Sequence, residues 1–260
     1  MDLAFFSLQK FELFLLVLVR TAGIFTLTPI FGSSQAPAHV RLAAALALTM
    51  VFVPIVPTAS ELPVEVLPLA LMVVREACVG LVIGFVCNMV FAAIEIAGHF
   101  VDAQSGFSFA TMLDPVHGSN MAVAGRFQNL MAGLLFFITN AHHLLIRGMA
   151  DSFNLAPVGQ MAVNPAVANG MLVLFSGLFG IAVRIAAPIV AAVFLADVAF
   201  AIIARIVPQI NVLIIGFPLK LGVGLAAMVV AVPLLVAMSQ GMFGDMYREI
   251  GGMIRLLTVH

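Results

Sequence analysis

Apolar runs of bilayer length alternate with short polar breaks along most of this chain. A helix crossing about 30 Å of hydrocarbon needs about 20 residues. Phe11 to Phe31 meets that length but carries Glu12 and Arg20, and the break Gly32-Ser33-Ser34-Gln35-Ala36-Pro37 follows it. Val40 to Val56 is a second run. A Pro- and Glu-containing loop then leads into Leu69 to Ala97, which is too long for one perpendicular span and must tilt or project. Gly98 to Met121 is more polar yet keeps Phe, Met and Leu. Ala122 to Ile146 is apolar again, and Arg147 to Gly170 connects it to an almost unbroken apolar stretch from Met171 to about Gly241. That stretch must hold at least two helices, with a turn or break between Pro208 and Pro218. The tail from Asp245 to His260 predicts a short amphipathic helix. The pattern gives about six apolar segments and an all-α, polytopic helical membrane protein. It is organised as a single helical membrane domain over 1–260, with no separate soluble part.

Composition strengthens this picture. Of the 260 residues, 63% are hydrophobic and 9% charged, against about a quarter charged in soluble domains, and the mean hydropathy is +1.20. A net charge of −1 without a basic block speaks against nucleic acid and against a polybasic lipid-binding tail. No basic region or small-residue cleavage site precedes the first long run, so no cleaved signal peptide is expected. Basic residues within the apolar runs leave orientation open under the positive-inside rule. Cys78 and Cys87 share one run, about 13 Å apart along a helix, too far for a disulfide.

The informative residues are charges inside apolar runs: Arg20, Arg126, Arg184, Asp197, Arg205 and Lys220. Each costs roughly 2.5–3.5 kcal/mol at mid-membrane, so each must find protein or water. Structural pairing and a polar interface to other subunits both remain open. Proline breaks with nearby charge also build transporter sites, so a secondary transporter with a substrate site at Pro208 to Lys220 is an alternative. Glu95, His99 and Asp102 share a helical face and give a third, metalloenzyme reading, without the His-Glu-x-x-His pattern. Adjacent His142 and His143 make a poor chelate. No Gly-x-Ser-x-Gly, P-loop or dinucleotide fingerprint occurs, so the chain is not expected to be an enzyme, nor to carry a cofactor or metal. The stretch from Gly106 to Asn120 joins small residues to Phe107, Phe109, Met112 and Leu113. Such a loop cannot face lipid, and inside a protein-lined cavity its apolar groups could close a pore by excluding water.

Several motifs resemble one family. They are Arg20-Thr21-Ala22-Gly23-Ile24-Phe25 with Pro29-Ile30-Phe31-Gly32, then Asp102-Ala103-Gln104-Ser105-Gly106 and Leu113-Asp114-Pro115. His142-His143-Leu144, Asp151-Ser152-Phe153 and Pro157-Val158-Gly159 follow. The most specific are Arg184-Ile185-Ala186-Ala187-Pro188, Asp197, Arg205, Pro208-Gln209-Ile210-Asn211-Val212 and Gly216-Phe217-Pro218-Leu219-Lys220. Over essentially the whole chain these resemble the FliR family of type III export-gate subunits, which includes injectisome counterparts. The resemblance implies bent helical hairpins packed into a helical multi-subunit gate, with this subunit in single copy beside FliP-like and FliQ-like partners. It implies FlhB-like and FlhA-like export proteins nearby, unfolded protein substrates in transit, and the bacterial inner membrane at the flagellar basal body. It places a plug loop within 98–121, with Gly106, Phe107, Phe109, Met112 and Leu113 as gating residues, and a bent hairpin region over 171–241. Arg20, Arg184, Asp197, Arg205, Pro218 and Lys220 become subunit-contact or buried charge-region residues. The flagellar branch is favoured by the Asp151-Ser152-Phe153 and Pro157-Val158-Gly159 elements.

Overall fold

A computed structural model describes residues 8–29, 37–57, 65–107, 123–162, 164–208 and 212–258. Among them are seven α-helices and no strand: α1 (Leu8–Leu27), α2 (Ala38–Phe52), α3 (Val66–Ser105), α4 (Val123–Ile138), α5 (Ala141–Leu155), α6 (Ala166–Ile206) and α7 (Val212–Leu256). The all-α polytopic class predicted from the apolar runs is therefore found. Three helices, α3, α6 and most of α7, are long and apolar enough to cross a membrane, and a fourth span results if α4 and α5 count as one. Hydropathy alone would have assigned more spans. Helix α1 has 20 residues but carries Lys10, Glu12 and Arg20, and α2 has only 15, whereas α3, α6 and α7 have 40, 41 and 45. At about 1.5 Å per residue each long helix has roughly twice the length of the hydrocarbon core.

Several boundaries differ from those the sequence predicts. Helix α3 continues through Gly98–Ser105, the first part of the expected connecting loop, because no Pro or Gly pair interrupts it there. The apolar run from Ala122 to Ile146 is divided at Thr139–Asn140, where Asn140 adopts a left-handed φ of 58°, a conformation that Asn tolerates better than most residues. The interruption expected between Pro208 and Pro218 is shorter: α6 ends at Ile206 and helix resumes at Val212, carrying Pro218 and Pro233 inside it. Proline is tolerated in such helices where neighbouring groups satisfy the freed carbonyl. The tail is no separate helix, since α7 runs on to Leu256.

The chain divides into two compact units. One comprises Met1–Val90, Asn140–Leu174 and Phe243–His260, the other Phe91–Thr139 and Phe175–Met242. In the first unit, α1 and α2 pack together, and the hydroxyls of Thr21 and Thr28 donate back to the carbonyls of Val17 and Ile24 at 2.8 Å, so buried polar groups cost little there. Helix α3 crosses α1 at very close range. Gly23 lies against Ala77 and Gly80, and Gly84 against Ile24 and Leu27. Gly80 and Gly84 form a Gly-x-x-x-Gly pair, the spacing that lets helix backbones approach. In the second unit, α6 buries the stripe Leu178, Ala182, Ile185, Ile189 and Val193, spaced as one helical face, while Phe91 meets Phe136 edge-on at 5.6 Å.

Candidate functional site

The most enclosed polar cluster lies in the first unit around Arg20. Its Nε donates to Glu76 Oε2 at 2.5 Å, Nη1 to Ser152 Oγ at 3.1 Å and Nη2 to the Ala156 carbonyl at 2.9 Å. The guanidinium also stacks over Phe153, 4.3 Å from the ring centre. Arg20 is 1% exposed and Glu76 0%. The second carboxylate oxygen of Glu76 accepts the Gly159 N–H at 2.8 Å. Gly159 has φ +79° and sits third in the turn Pro157–Gln160, closed by a Gln160 N–H bond to the Pro157 carbonyl at 3.0 Å. A left-handed φ at that position favours Gly. The Arg75 side chain reaches the Gly159 carbonyl at 3.1 Å. A buried arginine without this set would be an uncompensated charge. Arg20 was expected as a buried charge or subunit contact; its partners here lie in its own chain.

The second unit holds a partly open ion pair. Lys220 Nζ and Gln104 Nε2 both donate to Asp197 Oδ2 at 2.9 Å. This joins the end of α3 to α6 and α7. Asp197 and Lys220 therefore meet each other, whereas Arg184, Arg205 and Pro218 are exposed. A charge swap distinguishes an intrachain pair from a pair completed by another subunit. Asp197→Lys and Lys220→Asp singly are expected to lower the yield of folded complex, and together to restore most of it. A coupling of about 1 kcal/mol is the scale for polar contacts between membrane helices. A double variant no better than the worse single would exclude the pairing.

Asp102 is 3% exposed, and its carboxylate accepts the Ala124 N–H at 3.0 and 3.1 Å and the Gly125 N–H at 3.4 Å. Glu95, His99 and Asp102 do not come together as a chelate: among the described residues no group of three or more His, Cys, Asp or Glu is placed to hold a metal. Cys78 and Cys87 are free. Of the expected gating residues, Gly106 is buried with φ +84° and Phe107 half-buried, while Phe109, Met112 and Leu113 lie outside the described residues. Glu76 is the residue that sequence inspection passed over. The signal for it was a carboxylate well inside one apolar run, where it needs a partner as much as the arginine inside another.

Helices α6 and α7 present much of their apolar surface outward, including Phe175, Phe194, Leu195, Ile202, Val229 and Val230. Long apolar helices, outward apolar faces and sparse charges, the most enclosed of them held in hydrogen bonds, define a polytopic helical membrane protein. Residues 11–246 match the family described as bacterial export proteins, family 1, and the chain belongs to that family. It is 34% identical over 255 residues to the flagellar biosynthetic protein FliR of Bacillus subtilis (strain 168), covering 97% of this chain and 98% of that protein. It is 29% identical to the protein of the same name from Escherichia coli (strain K12), covering 97% and 96%. For the one from Aquifex aeolicus (strain VF5) the identity is 30%, over 85% of each chain.

Proposed function

We propose that this chain is a subunit of the bacterial flagellar type III export gate. With FliP-like and FliQ-like subunits it forms the channel through which unfolded flagellar proteins leave the cell. The observation that carries this is similarity over nearly full length to proteins named FliR. The outward apolar faces of α6 and α7 are consistent with a subunit that completes its packing against other membrane helices, and the exposed Arg184 and Arg205 with contacts to them. The subunit is present in single copy in the inner membrane, near FlhB-like and FlhA-like proteins. It transports rather than catalyses, and takes its driving energy from other components. The segment from Gly106 to about Asn120 is its plug, with Phe107, Phe109, Met112 and Leu113 supplying the apolar seal.

Co-expression with candidate partner subunits tests the assembly. A discrete hetero-oligomer containing one copy of this chain is the expected product, with poor recovery when it is expressed alone. A stable monomer that ignores both partners would overturn the reading. Deleting Gly106–Leu113 in the assembled complex is expected to raise ion leak across the membrane at unchanged assembly. An unaltered leak would remove the plug assignment.

A further inference from the structure

Four contacts gather at the end of α3, three in its last two turns and one at the glycine that follows it, all within the second unit. The Asp102 carboxylate receives the backbone N–H groups of Ala124 and Gly125, which belong to the first turn of α4. Such N–H groups have no acceptor within their own helix, and a carboxylate there makes charge-assisted bonds aligned with the helix dipole. The cap comes from a residue 22 positions earlier in sequence, on another helix. One turn before it, Gly98 lies so close to α4 that a methyl group there would fall on the Gly125 backbone, and 3.0 Å from the Ala124 carbonyl carbon. Two residues after Asp102, Gln104 holds the Asp197 oxygen that Lys220 also holds. Gly106 then turns the chain at positive φ, and a methyl group there would sit 3.2 Å from the Phe217 ring.

We infer that Asp102 is a positioning residue that holds the first turn of α4 against the end of α3, the two helix ends on either side of residues 108–122, and that Gln104 ties this contact to the Asp197–Lys220 pair. The start of α4 is then set by hydrogen bonds to a buried carboxylate on α3, reinforced by glycine contact at Gly98. Through Gln104, anything that shifts Asp197 or Lys220 acts on the same stem. The inference rests on the proposed plug only for its effect on permeation; the anchoring itself has an independent readout.

The test uses the assembled complex carrying Asp102→Ala, Asp102→Asn or Gln104→Met. Hydrogen exchange at the Ala124 and Gly125 amides is measured alongside ion leak, with complex yield as the control. Asp102→Ala is expected to speed exchange at both amides by about ten- to hundredfold, the range for a lost buried acceptor, and to raise leak several-fold. Asp102→Asn keeps one acceptor oxygen and should restore most of both. Gln104→Met should leave exchange slow and raise leak moderately. Unchanged exchange in Asp102→Ala overturns the anchoring, and so does an Asn variant as fast as Ala. If Asp102→Ala does not assemble, Gln104→Met decides: added leak at normal yield supports the link, and wild-type leak overturns it. A complex that leaks when Gly106–Leu113 is deleted but not in Asp102→Ala also overturns the positioning role. If the deletion itself does not leak, the plug fails instead, and the anchoring is decided by exchange alone.

Discussion

Replacing Glu76 with alanine is expected to destabilise the first unit by about 3–5 kcal/mol, the scale for removing one partner of a buried ion pair. The loss has two parts. Arg20, 1% exposed, keeps its charge and retains only Ser152 and the Ala156 carbonyl as acceptors. The Gly159 N–H loses its carboxylate oxygen and becomes an unsatisfied donor in the turn after α5. Glu76→Gln should cost less, because its carbonyl can still take the Gly159 N–H while its amide meets Arg20 donor to donor. The double variant Arg20→Met, Glu76→Met should recover much of the loss, since apolar replacement of a whole buried pair is often close to neutral. Thermal unfolding of the purified complex, with yield as a second measure, reads all of these. A Glu76→Ala complex as stable as wild type would show that the pair does not support the fold, and a double variant no better than Glu76→Ala would point to shape rather than charge.

How far this was legible in the sequence depends on distance along the chain. The apolar runs announced the helices, since period and length are local properties, and the exposed faces of α6 and α7 follow from the same runs. Charges inside those runs singled out Arg20, Arg126, Arg184, Asp197, Arg205 and Lys220 as residues that need protein or water around them, without saying which of them pair within the chain; Arg20, Asp197 and Lys220 do, while Arg126, Arg184 and Arg205 are exposed. Which residues pair was not readable. Arg20 reaches Glu76 over 56 positions and Ser152 over 132, and only the folded arrangement selects Glu76 over other carboxylates. Asp102 shows the opposite hazard. Its spacing from Glu95 and His99 suggested a ligand face, but a helix from a later part of the chain supplies backbone donors to its carboxylate first. Boundaries failed where the local signal was ambiguous. Pro218 is as strong a breaker in sequence as Pro208, yet α7 runs through it.

The Gly-x-x-x-Gly pair at Gly80 and Gly84 was also present in the sequence, inside a run long enough to hide it, and it leads to the second large effect. A methyl group added at Gly80 would fall on the Arg20 carbonyl oxygen, 3.0 Å from its carbon and 3.2 Å from its Cα. These are backbone atoms of α1, which no rotamer change can move. Gly80→Ala must therefore push α1 and α3 apart, and overpacking of this kind costs typically 1–3 kcal/mol. The displaced residue is Arg20 itself, so the same shift strains its 2.5 Å bond to Glu76, and the total should reach the upper end of that range. Gly133, which has nothing within 4 Å of an added methyl, is the control: Gly133→Ala should be neutral or slightly stabilising, as alanine is the better helix former. Because Gly80 meets the Arg20 backbone and Glu76 its guanidinium, both changes act on one residue and their effects should fall short of additive, with the Gly80→Ala, Glu76→Ala double variant losing less than the two singles combined. Additive losses would show that the glycine crossing and the ion pair are independent supports, and a Gly80→Ala complex unfolding at the wild-type temperature would rule out the close crossing of α1 and α3.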